Sequence, residues 1–133
     1  MIVPVRFDIY ERYSKAFMDI LRTYTPKVEK YSIDEAFMDM TGYLKDYDNP
    51  VKIATEIKDK IYSELGFTVN IGISTNKLLA KMAGDFKKPN LVHTLFPDEI
   101  PTKMWPLKVR ELLFVGKATE QKLQSLGIRT IGE

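Results

Sequence analysis

The stretch from Tyr31 to Asp39, Tyr-Ser-Ile-Asp-Glu-Ala-Phe-Met-Asp, constrains the fold of this chain more than any other. It sets two adjacent carboxylates, Asp34 and Glu35, inside an apolar, strand-forming run. Successive side chains of a regular strand point to opposite faces. The two acids can therefore share a ligand only at a strand end or in a turn. Repulsion and desolvation disfavour ionising both, and a bound Mg²⁺ or Mn²⁺ relieves that conflict. The pattern predicts a metal site at a hairpin tip or strand end; the alternative is an exposed turn with two solvated acids.

Periodicity elsewhere predicts an α+β fold, with one sheet and helices packed on one side of it. Asp8 has the position of an N-cap in a capping box, and helical spacing of apolar residues continues to Pro26. Asn49 and Gly66 are the expected caps of a second helix. Further helices are predicted at about 76–86, 108–113 and 117–126, and strands at 28–31, 35–40, 67–74 and 91–95.

Composition limits the class of protein. A chain of 133 residues with 44% hydrophobic residues fits one domain, or a domain with a small appendage. No apolar run approaches the ~20 residues of a membrane span, and residues 1–4 show no secretory signal. The absence of cysteine excludes disulfides and thiolate metal sites. His93, as the only histidine, is expected to be a structural or surface residue. These features predict a cytoplasmic protein that does not act at a membrane.

Charge is unevenly distributed along the chain. Residues 1–76 carry 10 Lys and Arg against 12 Asp and Glu, whereas residues 77–133 carry 10 against 6. The excess of positive charge gives weak support for a DNA-facing C-terminal part. Ordinary unevenness of solvated charge is the alternative.

Two motifs carry a family resemblance. Ser-Ile-Asp-Glu-Ala-Phe at 32–37 resembles the catalytic palm motif of Y-family (translesion) DNA polymerases, of the polymerase IV and ImpB-MucB-SamB type. The run 70–83, leading into Asp-Phe-Lys-Lys-Pro-Asn at 85–90, is similar to the second signature of that family. The resemblance implies a ferredoxin-like palm in residues 1–95, lacking its first strand. It also implies a linker and the start of a helix-hairpin-helix thumb in residues 96–133.

The resemblance also implies roles for individual residues. Asp34 and Glu35 would be catalytic metal ligands for Mg²⁺, with Mn²⁺ as a substitute, and the first strand of the family supplies a further aspartate. Lys88 would hold the incoming deoxynucleoside triphosphate. Asp39 matches no such motif position and is interpreted as structural. Polymerase chemistry of this kind uses two divalent ions about 4 Å apart.

DNA-binding candidates lie in the C-terminal part. Lys77 and Lys81 stand four residues apart and share a helix face, which either contacts the DNA backbone or is simply solvated. Gly116 and Lys117 lie where a helix-hairpin-helix would present backbone amides to a phosphate. Phe114 occupies the position of the first hairpin glycine, where a positive φ or close approach is expected. Helical packing without phosphate binding is the alternative there.

The function that follows is translesion DNA polymerase activity in DNA repair, on primer-template DNA and deoxynucleoside triphosphates. The isolated chain would be inactive, because the first strand, the fingers and the little finger of the family have no counterpart in it. A sliding clamp would bind through those absent segments. The first alternative is a remnant that binds DNA or protein without catalysis. The second is a nucleotidyl cyclase palm, which is less favoured: cyclases have glycines before the paired acids and no role for Lys-Pro-Asn at 88–90.

Overall fold

A computed structural model describes residues 4–44 and 49–133 of the chain. The chain divides into two compact units, Met1–Val69 and Asn70–Glu133. Each combines helices with a short sheet, so the predicted α+β class is confirmed. No helix in the described ranges is long and apolar enough to cross a bilayer.

The first unit consists of two helices and a hairpin. Its elements are α1 (Phe7–Arg22), β1 (Val28–Lys30), β2 (Ala36–Met38) and α2 (Pro50–Leu65). The strands β1 and β2 are antiparallel, with Val28 opposite Met38. Helices α1 and α2 pack together through their apolar faces, whose buried residues are Phe17, Met18, Ile20, Leu21, Ile53, Ala54, Ile57 and Ile61.

The predicted caps of α2 are confirmed, but the predicted start of α1 is wrong. Asn49 accepts a 2.9 Å hydrogen bond from Val51 N, and Gly66 ends α2 with φ +77°. Helix α1 begins two residues earlier than expected, with Arg6 at the N-cap and no side-chain cap. Asp8 instead lies in the first turn, where the helix dipole favours an acid, and pairs with Arg6 at 3.2 Å.

The second unit is a parallel strand pair covered by short helices. Its elements are β3 (Ile71–Ile73), α3 (Lys77–Gly84), β4 (Val92–Thr94), α4 (Ile100–Lys103) and α5 (Lys117–Ser125), with 3₁₀ turns at Pro97–Glu99 and Val109–Glu111. The buried core consists of Leu79, Met82, Ala83, Leu95 and Met104. Asn76 caps α3, since its side chain accepts a 2.9 Å hydrogen bond from Leu79 N.

Gly72 lets β3 lie directly against α3. A Cβ at this position would collide with the carbonyl oxygen of Ala80 and the amide nitrogen of Gly84. Both are backbone atoms of a packed helix and cannot rotate away. The close approach therefore depends on glycine.

The expectation of a single sheet is wrong. The described strands form two separate two-stranded sheets, β1–β2 and β3–β4. Each strand spans only three residues, although the sequence patterns run for up to eight. The palm that the resemblance implies has a further strand in its sheet. Among the described residues, β1 pairs with β2 and β3 pairs with β4, and no further strand joins either pair. The alternating pattern of 67–74 predicted one core-facing side, but all three residues of β3 are half-buried, and Gly72, on the side expected to be polar, packs against α3. The pattern also did not fix where ladder hydrogen bonds form.

Candidate functional site

The acid hairpin, which we define as residues 28–38, places Asp34 and Glu35 in its connecting loop. Tyr31 N and Ser32 N both donate to the carbonyl oxygen of Glu35, at 2.9 and 3.1 Å, and close the loop. The Ser32 hydroxyl lies 2.8 Å from Asp34 Oδ1 and 3.4 Å from Glu35 Oε2. Both carboxylates therefore converge on one hydroxyl, and the prediction of a hairpin tip is confirmed.

The surroundings of the two acids fit part of a Mg²⁺ ligand set. Asp34 is exposed and Glu35 is half-buried, while Tyr31 and Phe37 pack edge to face with ring centroids 5.5 Å apart. Within residues 4–44 and 49–133, no third acid, histidine or cysteine joins them in a metal-binding cluster. Mg²⁺ commonly takes one or two carboxylates and completes its shell with waters and substrate phosphates. Two convergent carboxylates suit that chemistry.

Asp39 uses its carboxylate to close the end of β2. Thr41 N donates to Asp39 Oδ1 at 2.9 Å, and Lys27 Nζ lies 3.2 Å from Oδ2. Hydrogen bonds from Thr41, assisted by Lys27, lower the pKa of Asp39 to about 2. The Thr25 hydroxyl also donates to the Asp39 carbonyl oxygen at 2.9 Å. These contacts support the structural role predicted for Asp39.

The lysine loop, defined as residues 85–91, follows α3 and contains Lys88. Lys88 Nζ lies 2.7 Å from Asp85 Oδ1, and Lys81 Nζ lies 3.0 Å from Asp85 Oδ2. Burial acts to raise the pKa of Asp85, but hydrogen bonds from Lys88 and Lys81 outweigh it and hold that pKa below its usual range. The lysine expected to bind a triphosphate is thus already paired with a carboxylate.

Asn70 ties the lysine loop to the start of β3. Its Nδ2 donates to the carbonyl oxygens of Gly84 at 3.1 Å and Lys87 at 2.6 Å, and its Oδ1 accepts from Leu91 N at 3.0 Å. The sequence placed Asn70 in the predicted strand 67–74 and at the start of the second family signature, but gave it no role of its own. Its partners lie 14 to 21 residues away, and nothing in the local pattern announces them.

The lysine loop has an unusual backbone geometry and is contacted by His93. The Lys88–Pro89 peptide bond is cis, and Asn90 has φ +62°, a conformation that asparagine tolerates better than most residues. His93 Nε2 lies 3.1 Å from the Lys87 carbonyl oxygen, and its ring packs edge to face on Phe86. His93 therefore has the structural role expected of it.

Lys77 and Lys81 differ in their surroundings although they lie on one helix face. Lys77 is exposed at the first position of α3. The Lys81 side chain is only 18% exposed and lies against Asp85. Of the two, Lys77 is better placed to meet a phosphate in solution.

The start of α5 contains the other DNA-binding candidates. Gly116 is the N-cap and Lys117 the first helical residue, with no side-chain hydrogen bond to the cap, and a Cβ at Gly116 would meet nothing within 4 Å. Phe114 has φ +70° and is 82% exposed. The positive φ expected at the first hairpin glycine therefore occurs, although the left-handed conformation costs a residue with a Cβ about 1–2 kcal/mol.

Comparison with known protein families identifies the chain. The sequence model of the impB/mucB/samB family matches residues 1–85, and that of the IMS family HHH motif matches residues 97–128. The chain belongs to the impB/mucB/samB family, that is, to the Y-family DNA polymerases.

Individual relatives agree with this assignment. DNA polymerase IV of Clostridium acetobutylicum is 53% identical over 133 residues, covering all of this chain and 33% of that protein. DNA polymerase IV 1 of Bacillus subtilis is 45% identical over 138 residues, covering all of this chain and 32% of that protein. The chain spans about a third of the length of these curated relatives.

Solved structures match the fold as well. The crystal structure of DinB from Sulfolobus solfataricus aligns with a TM-score of 0.88 and 34% identity, over 98% of this chain and 38% of that one. An insertion ternary complex of Dbh DNA polymerase aligns with the same TM-score, identity and coverage. The polymerase palm fold predicted from the sequence motifs is therefore confirmed.

Proposed function

We propose that the chain is the metal-binding and triphosphate-binding part of a template-directed DNA polymerase that copies past damaged bases. The observation that carries the proposal is the convergence of Asp34 and Glu35 on the Ser32 hydroxyl, within a chain of the Y-family. The relatives named DNA polymerase IV support the reaction, and the ternary complex among the structural matches supports primer-template DNA and a deoxynucleoside triphosphate as partners.

Asp34 and Glu35 would hold the divalent cations, Mg²⁺ or Mn²⁺. When bound, these ions lower the pKa of the attacking hydroxyl and neutralise charge on the triphosphate. Local hydrogen bonds position the two carboxylates. The two bonds to the Glu35 carbonyl oxygen fix the loop, and the Ser32 hydroxyl keeps both carboxylates on one side. Oxygen ligands of this number and type suit a hard cation.

Lys88 would contact the triphosphate, and Lys77, Lys81, Gly116 and Lys117 would contact the DNA backbone. Lysines and backbone amides bind phosphate without reading base sequence, so the expected interface is independent of DNA sequence. We assign the palm portion to residues 1–95 and the start of the thumb to residues 96–133. The separate family matches to 1–85 and 97–128 support this division.

We expect the isolated chain to lack polymerase activity. Catalysis of this class depends on ions, primer and triphosphate held in register, and two carboxylates with one lysine supply too few contacts. The test is a primer-extension assay with Mg²⁺ or Mn²⁺ on the purified chain, beside the Asp34→Ala variant. Templated incorporation that the variant loses would show that the chain is sufficient and would overturn this expectation.

Metal binding can be tested separately from activity. Mn²⁺ added to the isotope-labelled chain should broaden the NMR signals of Asp34 and Glu35 first, and binding should be weak because few ligands are present. Broadening that survives Asp34→Ala unchanged would overturn the metal site. A chain that binds DNA but shows no Mn²⁺ effect would instead favour the alternative of a DNA-binding remnant without catalysis.

A further inference from the structure

We propose that Asp85 is a positioning residue that controls access of a triphosphate to Lys88. Asp85 holds the Lys88 ammonium, and an incoming triphosphate must take Lys88 away from it. This inference rests on the proposed role of Lys88 as a triphosphate contact. The sequence motifs alone suggested no role for Asp85.

The geometry of the Asp85 carboxylate is the first support. Its two oxygens are divided between two cations, with Lys88 Nζ 2.7 Å from Oδ1 and Lys81 Nζ 3.0 Å from Oδ2. These are distances of charge-assisted hydrogen bonds. An anion that approaches Lys88 therefore meets an ammonium whose charge is already partly offset.

Exposure decides which lysine exchanges partners. The Lys88 side chain is 60% exposed, whereas the Lys81 side chain is 18% exposed. Lys81 has little freedom to turn to another partner, because its side chain is only 18% exposed. Lys88 can move into solvent at little cost. Asp85 therefore stays with Lys81 while Lys88 turns to the ligand.

The loop backbone is held in place during that exchange. Asn70 fixes the carbonyl of Lys87 at 2.6 Å and the amide of Leu91 at 3.0 Å, on either side of Lys88. Only the Lys88 side chain needs to reorient. The expected motion is a change of rotamer, which is fast for an exposed side chain.

The affinity of the chain for a triphosphate should consequently rise when the charge of Asp85 is removed. Asp85→Asn keeps the size of the side chain and frees Lys88. An exposed ion pair of this kind typically corresponds to about a two- to fivefold change in an equilibrium constant. A merely structural role for Asp85 would produce the opposite result, a loss of affinity.

The experiment is an NMR chemical-shift titration of the 133-residue chain with inorganic tripolyphosphate at low salt. Wild type, Asp85→Asn, Lys88→Met and the double variant are compared, and Asp98→Asn is the matched control, because Asp98 is an exposed acid of the same unit. We expect Asp85→Asn to bind about two- to fivefold more tightly, Lys88→Met to lose most binding, and Asp98→Asn to match wild type. Asp85→Asn should give no gain when Lys88 is already Met.

The outcomes separate the inference from the proposed function. Equal or weaker binding by Asp85→Asn overturns the inference, as does a gain that persists without Lys88, which would indicate general charge repulsion. Equal binding by wild type and Lys88→Met overturns the proposed triphosphate contact itself. Amide spectra and thermal melts verify that each variant is folded, and Asp85→Ser is a second charge-removing variant with the same expected gain.

Discussion

The acid hairpin and the lysine loop both present charged side chains from short connections, but they are held in different ways. The hairpin loop is held by hydrogen bonds between residues no more than four positions apart, as in the Ser32 contacts to Asp34 and Glu35. The lysine loop is held by Asn70, whose bonds reach up to 21 residues along the chain. The position of a group that is held by its sequence neighbours can be predicted from the local sequence, whereas that of a group held by distant residues cannot.

The two regions also differ in how much packing they require. The lysine loop follows α3, which lies so close to β3 that Gly72 has no room for a Cβ. In the acid hairpin, Asp34 is exposed and Glu35 is half-buried. We therefore expect the lysine loop to be sensitive to changes in packing and the acid hairpin to be tolerant of them.

Gly72→Ala should have the largest effect on stability. The new methyl group would collide with backbone atoms of α3, and an unrelieved clash of this kind costs about 3 kcal/mol or more. Thermal unfolding followed by the fluorescence of Trp105, the only tryptophan, is the measurement. Gly116→Ala is the control, because a Cβ there meets nothing. Equal melting temperatures for the two variants would contradict the packing argument.

Asn70→Ala should produce the next largest effect. It removes three hydrogen bonds, of which the one to the Gly84 carbonyl oxygen is partly buried, and this loss costs about 1–2 kcal/mol. Denaturant unfolding measures the loss, and faster hydrogen exchange at the Leu91 amide locates it. Ser32→Ala, the counterpart in the acid hairpin, should cost about 0.5 kcal/mol or less because Asp34 is exposed. A Ser32→Ala loss as large as that of Asn70→Ala would remove the distinction between the regions.

Acid should weaken carboxylate contacts in both units, among them those of Asp39 and Asp85. Asp39 has a pKa of about 2 because of hydrogen bonds from Thr41 and from Lys27, and the pKa of Asp85 is lowered by Lys88 and Lys81 against the opposing effect of burial. A carboxyl group whose pKa is lower in the folded state than in the unfolded state stabilises the fold at pH values above its unfolded-state pKa, which is near 3.9. That stability is lost as the pH falls through the folded pKa.

Unfolding free energies measured between pH 5 and about pH 2 should therefore decrease with falling pH. The decrease should be smaller in Asp39→Asn and in Asp85→Asn, each of which lacks one of the titrating groups. A decrease identical to that of wild type in both variants would show that other carboxylates dominate.

The sequence predicted the fold class, the caps of α2, and the hairpin position of Asp34 and Glu35, because those features depend on neighbouring residues. It misplaced the start of α1, where the Arg6 contact of Asp8 replaced the expected cap. It also predicted one sheet where the described strands form two, and it missed the contacts of Asn70 and Asp85. Strand pairing and loop anchoring depend on contacts that the local pattern does not show. Phe114 lies between these cases. A positive φ was expected at this position, and the chain adopts it there with a bulky residue in place of glycine.

DNA binding should produce the smallest effects, and it distinguishes the two units by charge. The candidate contacts Lys77 and Lys117 are exposed at helix starts in the more basic unit, whereas Lys52 is exposed on α2 in the acidic one. Each Lys-to-Met change at 77 or 117 should weaken binding to an arbitrary duplex about two- to threefold and reduce the salt dependence by about one ion. Lys81→Met should have less effect, because its ammonium is held by Asp85.

Fluorescence anisotropy at several salt concentrations is the measurement, with Lys52→Met as the control. Two results would contradict a nucleic-acid interface in the second unit. One is an affinity for DNA that does not change with ionic strength, and the other is a loss of affinity in Lys52→Met as large as that in Lys77→Met.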